Sequence, residues 1–432
     1  MRRYFCALIL YLATAAIAQE DIKALPKRER LLNGLSVAIL ERPGSGTVAA
    51  HLVVRAGATF DPVSKFGISK VMAEMLLRSA GGWTLERLQE ELADIDATIE
   101  VRTGWDSIEL AAMTRSSLNV AGLLSILGQI VADPKFREQE LETFKSEHKR
   151  ILESVPPPTV LASQLLQKAL FGMHPYGHTI DGELADLAAL KRPDLFDHYD
   201  RIFLANNAAL VVVGDVSAEK ILPVIKRAFG GWKKATPAPY TFIPPTDFTG
   251  IHVKLVEKDL PQNAFCAGAF AMRRTDADYL PALLLTEVLN IKFEQAKLEL
   301  KAVLHARRMR GYIEICGRST DVVSDLATFL KLRQLETVSE QEVMAARARV
   351  KDSYYAPLRT AQAELNSVLA EKLAELESYN YGASYLNGFA ADVDKVTLQQ
   401  IRLAAQYLQN LKVVAVGRVG DKAAYEALGK VE

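Results

Sequence analysis

Gly67-Ile68-Ser69-Lys70-Val71-Met72-Ala73-Glu74-Met75-Leu76 is the stretch on which the reading of this chain turns. Ile68, Val71, Met72 and Met75 recur at helical spacing, which predicts one apolar face turned to a core. Lys70 and Glu74 stand one turn apart on a shared face, with Ala73 just before Glu74. A Lys–Glu pair at that spacing is in itself an ordinary ion pair on a solvated helix, worth roughly 0.2–0.5 kcal/mol. What this helix belongs to is decided by the rest of the chain.

The chain has 432 residues, of which 49% are hydrophobic and 24% charged, a globular composition with length for two or more domains. Its formal net charge is +0, so no charge excess draws it to nucleic acid or to an anionic membrane. Arg2 and Arg3, the apolar run from Phe5 to Leu12 and the small residues Ala16-Ile17-Ala18 read as a secretory signal over residues 1–18. The mature chain is then expected in the periplasm or outside the cell. The apolar run is short for a membrane span, so none is expected after signal cleavage. Cys266 and Cys316 remain, both in apolar strand-like runs. They read as two buried free thiols, with a single disulfide as the alternative.

The remainder looks like one module written twice. Arg137-Glu138-Gln139-Glu140-Leu141 is echoed by Ser339-Glu340-Gln341-Glu342-Val343, displaced by 202 residues from Gln139 to Gln341. Leu210-Val211-Val212-Val213-Gly214-Asp215 is echoed by Lys412-Val413-Val414-Ala415-Val416-Gly417, displaced by 203 from Gly214 to Gly417. Two echoes at nearly one offset predict a duplication. Pro237, Pro239, Pro244 and Pro245 mark 233–250 as a linker, with modules at 19–232 and 251–432. Strands grouped with helices, without strict alternation, predict α+β layers.

In chain order, Gly57-Ala58, Asp61-Pro62, the Gly67–Leu76 helix, Phe136 to Glu153, His174-Pro175-Tyr176-Gly177, Asn206 to Asp215 and Gly311-Tyr312-Ile313-Glu314-Ile315 carry a resemblance. They resemble the insulinase-like, pitrilysin-type zinc metallopeptidases, the family that includes the mitochondrial processing peptidases, over essentially the whole mature chain. The resemblance implies an α+β fold of two homologous modules, each a mainly antiparallel sheet packed with helices, in a clamshell arrangement. It also implies a zinc site made from an inverted H-x-x-E-H motif and a Glu on a later helix, with a helper Glu two turns before that one.

Lys70, Ala73 and Glu74 stand at the three motif positions. Ser146-Glu147-His148-Lys149 resembles the later ligand segment, and Glu140 lies seven residues before Glu147. Zinc favours imidazole and thiolate ligands, whereas an ammonium only donates and repels a dication. Ala73 cannot take a proton from water. The expectation is a scaffold with no cofactor, no metal and no catalytic residue. Two readings of Lys70 stay open: a solvated pair with Glu74, or an ammonium beside Glu147 and Glu140 that replaces the charge of the metal.

Two-subunit members of the family divide the labour, the partner subunit lending an Arg and a Tyr from its C-terminal half. That segment is expected between a helix ending near Leu289-Asn290 and a strand starting at Gly311. Glu299 stands at the Arg position and His305 or Ala306 at the Tyr position, so these side chains do not complete a partner's site. Arg307, Arg308 and Arg310 read as a solvated turn. His174 and His178 read as a structural loop, because Pro175 and Gly177 break a helix. The function implied is an exported non-catalytic homologue that pairs with a zinc-bearing homologous subunit to bind and process peptides or unfolded proteins. The alternative is a structural or peptide-binding scaffold with no proteolytic partner. A hydrolase with another site would need a nucleophile setting such as Gly-x-Ser-x-Gly, which the sequence lacks.

Overall fold

The computed structural model describes residues 25–79 and 81–432; the expected signal at 1–18 lies outside the described residues. Two six-stranded sheets carry the fold. The first contains β1 (Lys27–Arg30), β2 (Ser36–Glu41), β3 (Val48–Val54), β4 (Ala97–Thr103), β5 (Ile108–Thr114) and β6 (Ala208–Gly214), in the order β1-β2-β6-β3-β5-β4. The second contains β7 (Ile251–Glu257), β8 (Asn263–Phe270), β9 (Leu300–His305), β10 (Tyr312–Ser319), β11 (Leu411–Gly417) and β12 (Lys430–Val431), in the order β12-β7-β11-β8-β10-β9.

Five successive strands follow one order in both sheets, as a duplication requires. The echoed strands β6 and β11 hold the same place. Each runs parallel to one neighbour, β2 or β7, and antiparallel to the other, β3 or β8. All seven residues of β6 are buried, which suits an apolar run rich in Val, covered on both faces and hydrogen-bonded at both edges. One pairing in the first sheet and two in the second are parallel, so both sheets are mainly antiparallel.

Six helices matter below: α1 (Ile68–Arg78), α2 (Glu138–Glu153), α3 (Pro158–Phe171), α4 (Tyr279–Gln295), α5 (Glu340–Tyr355) and α6 (Gln362–Ser378). Ile68, Val71, Met72 and Met75 are all buried, so α1 turns inward the face its periodicity predicts. By contact the chain forms two units. The first comprises the described residues up to Glu153, with Ile180–Tyr240 and Tyr355–Gly388; the second comprises Ser154–Thr179, Thr241–Tyr354 and Phe389–Glu432. The division at 19–232 and 251–432 therefore describes the repeat in the sequence, while the contacts exchange a stretch in each direction.

Within the first unit α6 lies on β3, β5 and β6, and within the second α3 lies on β8, β10 and β11. Pro157 and Pro158 end one helix and start the next, Pro158 at a position where its missing N–H costs nothing. A Cβ added to Gly268 on β8 would meet Leu166 and Leu170 of α3 at 2.9 Å, so the helix and strand approach closely there. Residues 233–250 form neither helix nor strand.

Cys266 and Cys316 are bonded to each other, which corrects the reading as free thiols. The register of β8 and β10 sets them directly opposite, with Cα atoms 4.2 Å apart. Among the described residues no helix is long and apolar enough to cross a membrane.

Candidate functional site

The site is built from the start of α1. Gly67 precedes the helix at φ 90°, and a Cβ there would lie 2.8 Å from Asp181 O. Asp61 accepts the backbone N–H of Gly67 at 2.7 Å and of Ser69 at 3.1 Å, supplying acceptors to helix amides that have no intrahelical partner. The Ser69 hydroxyl donates to Gly57 O at 3.1 Å and lies 2.8 Å from His198 Nε2. Burial raises the Asp61 carboxyl to about 7 against the pull of these hydrogen bonds, and burial lowers His198 to about 3. This buried knot sets where α1 begins and hence where residues 70, 73 and 74 stand. Asp61 was visible in the sequence as part of the lead-in, but its capping role was not.

On the motif face Lys70 Nζ lies 4.0 Å from Glu74 Oε1 and 3.6 Å from Asp181 Oδ1. Ala73 is fully buried and offers no acceptor. Glu147 on α2 receives Arg78 Nη2 at 2.7 Å, and the same guanidinium sits 5.3 Å from the centre of the Phe144 ring. Glu140, half-buried two turns before Glu147, takes part in none of these pairs. Of the two readings left open for Lys70, the pair with Glu74 is the one present, and the grouping with Glu147 and Glu140 is not. Lys70 serves Glu74 and Asp181, and Arg78 serves Glu147. Spacing held the clue, because Lys70, Glu74 and Arg78 form one row at i, i+4 and i+8. These side chains are partly exposed, so each pair is worth about 0.2–1 kcal/mol.

The repeat shows what these positions do for the scaffold. Arg349 on α5 stands 202 residues after Glu147 and binds Glu294 at 2.7 Å and Glu287 at 3.3 Å on α4. Glu342, 202 residues after Glu140, binds the buried Lys292 of α4 at 3.1 Å. Position 147 and its counterpart thus tie one helix to another in both repeats, with the charges reversed.

A zinc ion does not fit this face. Two of its carboxylates are held by cations and none of its side chains offers an imidazole or thiolate. His148 is buried, stacks on Phe144 at 5.3 Å and has its Nε2 2.8 Å from Asp181 O, so it is committed elsewhere.

In the second unit, His174 Nδ1 accepts the Tyr176 N–H at 3.1 Å, and His178 Nδ1 lies 2.8 Å from Thr179 O. The two histidines make separate local bonds in a structural loop. Burial, with Arg307 nearby, lowers His174 to about 4. Arg307 is 7% exposed, with its guanidinium 4.6 Å from the Tyr176 ring centre and 5.4 Å from that of Tyr312. It is a packed cation, which corrects the solvated-turn reading at this residue. Arg310 pairs with Asp247 at 2.5 Å. The helix expected to end near Asn290 runs on to Gln295, because Ile291, Lys292 and Phe293 are buried. Glu299 pairs with Arg318 at 3.1 Å, and His305 Nε2 lies 3.0 Å from Glu314 Oε2.

The strand nearest the motif helix adds a different feature. α1 packs on β4, which ends the first sheet and pairs only with β5 among the described residues. Thr98, Glu100 and Arg102 are exposed along it. An edge of this kind presents backbone donors and acceptors to any extended chain.

Two family models match the chain. The model described as Insulinase (Peptidase family M16) matches residues 36–182, and the Peptidase M16 inactive domain matches residues 189–295; together they span more than half of it. A probable mitochondrial-processing peptidase subunit beta of Arabidopsis thaliana is 24% identical over 60% of this chain and 49% of that one, so the match spans about half the plant protein. An uncharacterized zinc protease of Rickettsia felis is 23% identical over 82% of this chain and 86% of its own. A crystal structure of a peptidase M16 inactive domain from Pseudomonas fluorescens superposes with a TM-score of 0.79 at 18% identity, covering 91% of this chain and 98% of that one.

Proposed function

The chain belongs to the insulinase (M16) peptidase family, and on that premise we propose that it is an exported, non-catalytic member that binds extended peptide and pairs with a zinc-bearing homologous subunit. The observation that carries this is the motif face itself. Lys70, buried Ala73 and Glu74 occupy the ligand and base positions, and Arg78 closes on Glu147. Ala73 leaves the base position without a proton acceptor, so cleavage is expected to come from the partner. The edge of β4 beside α1, paired only with β5 among the described residues, supports peptide binding by strand addition, in which main-chain hydrogen bonds give affinity with little demand on sequence. Such binding suits a protein that takes many peptides or unfolded chains.

The test is metal analysis and a peptidase assay on the purified chain, alone and with whatever homologue co-purifies with it. Alone, with the Cys266–Cys316 disulfide intact, it holds no stoichiometric zinc and cleaves no unstructured peptide; chelator-sensitive cleavage appears only with the homologue. One zinc per chain and chelator-sensitive cleavage by the isolated protein would refute the proposal.

A further inference from the structure

Among the described residues, a tight set of metal-ligating atoms away from the motif face lies in the second unit, on the face of the sheet that α3 covers. Cys266 and Cys316 are cross-strand partners, and Glu314, two residues before Cys316, points to the same face. The two sulfurs and a Glu314 carboxylate oxygen all lie within 4.8 Å of one another. Cys266 is fully buried and Glu314 is 7% exposed.

A carboxylate at that depth needs partners. Ser163 on α3 donates to Glu314 Oε1 at 2.6 Å, and His305 Nε2 stands 3.0 Å from Oε2. Burial alone would raise the carboxyl, but His305, Ser163 and Arg307 outweigh it and hold Glu314 below the usual carboxylate range.

We propose that reduction of the Cys266–Cys316 disulfide opens a site for a thiophilic divalent cation of the zinc class, with Cys266, Cys316 and Glu314 as ligands. Two thiolates and a carboxylate suit such an ion and leave one position for water. His305 is a positioning residue that holds Glu314, as partners of ligating groups commonly do. While the sulfurs are bonded to each other they have no thiolate charge to offer, so the site stays closed, and in an oxidising compartment it remains so. Opening consumes a two-electron reductant. With a phosphine, phosphorus attacks one sulfur, the S–S bond breaks, and water supplies the oxygen of the phosphine oxide and the two protons of the thiols. Metal binding then releases those two thiol protons. The site uses no residue of the motif face and does not depend on the function proposed above.

The test uses the full mature chain, oxidised or reduced with a phosphine and then desalted without oxygen. Each form is equilibrated with Cd²⁺ or Zn²⁺. Metal per chain is measured by mass spectrometry, and cadmium–thiolate bonds are read from their ultraviolet absorption. The reduced protein should take up one metal per chain with the thiolate band, and the oxidised protein none. Glu314→Gln should weaken uptake by about tenfold or more, and Cys266→Ser with Cys316→Ser should abolish the band. Equal uptake by oxidised and reduced protein would overturn the proposal. So would equal uptake by the double-serine variant, no uptake by reduced protein with native circular dichroism, or unfolding on reduction. If either variant does not fold, the two redox forms of the wild type still decide.

Discussion

Replacing Lys70 and Glu74 together by histidine should create a zinc site on the motif face. The two imidazoles would project one turn apart from α1, and Glu147 on α2 would supply a third ligand, a set zinc accepts with water in the fourth place. Ala73 is left alone because it is fully buried, so its replacement would confuse ligand supply with packing damage. The obstacle is Arg78, which holds Glu147 at 2.7 Å. The carboxylate of that pair is 53% exposed, so the interaction is worth no more than about 1 kcal/mol, or a factor of about five in zinc affinity. Adding Arg78→Leu should therefore tighten zinc by up to about fivefold. Either single histidine should bind no stoichiometric zinc, having too few ligands. Competition against a chromophoric chelator reads the affinity, and circular dichroism with thermal melting confirms the fold. A folded double variant that binds zinc no better than wild type, with or without Arg78→Leu, would show that position 147 does not converge on the motif face. Even the zinc-loaded variant should cleave nothing, because it has no base at residue 73.

Other perturbations probe the scaffold. Lys70→Met should cost about 0.2–1 kcal/mol in chemical denaturation at low salt and less at about 1 M salt, where exposed pairs are screened; an equal loss at both would mean that the stem of Lys70 packs and its charge does nothing. Asp61 and His198 oppose each other in pH dependence. The raised Asp61 carboxyl is protonated in the folded state and ionised in the unfolded state between about 4 and 7, so its contribution falls as pH rises; the lowered His198 is neutral when folded and charged when unfolded between about 3 and 6.5, so its contribution falls as pH drops. Asp61→Asn removes the first and leaves the second, so between pH 6.5 and 4 the variant should lose about 1.4 kcal/mol per pH unit relative to the wild-type trend, and parallel curves would refute the assignment. Gly268→Val should destabilise by about 1–3 kcal/mol, because its side chain would enter space held by Leu166 and Leu170 at 2.9 Å; unchanged stability would mean that α3 does not press on β8 as described.

Much of this protein was legible in the chain. The echoes near 202 and 203 foretold a duplicated module, because a duplicated module keeps its local periodicity even when most residues diverge. The inward face of α1 and the absence of the motif's histidines at residues 70 and 74 were equally plain, since both rest on residue type and helical spacing alone. Partners that meet across distant elements were not. Arg78 was passed over for Glu147 because nothing local says which of two cations on one row reaches a carboxylate on another helix. The disulfide stood only as the alternative to free thiols because pairing depends on the register of β8 and β10, and a shift of one residue would have turned one sulfur to the opposite face. The exchange of α3 and α6 between units, and the burial of Arg307 against Tyr176 and Tyr312, depend likewise on how sheets and helices come together. Periodicity is a property of neighbours in the chain, so the sequence determined the elements and which residues stand at the motif positions. Contact is a property of neighbours in space, so only the tertiary structure decided which charges, sulfurs and helices were joined.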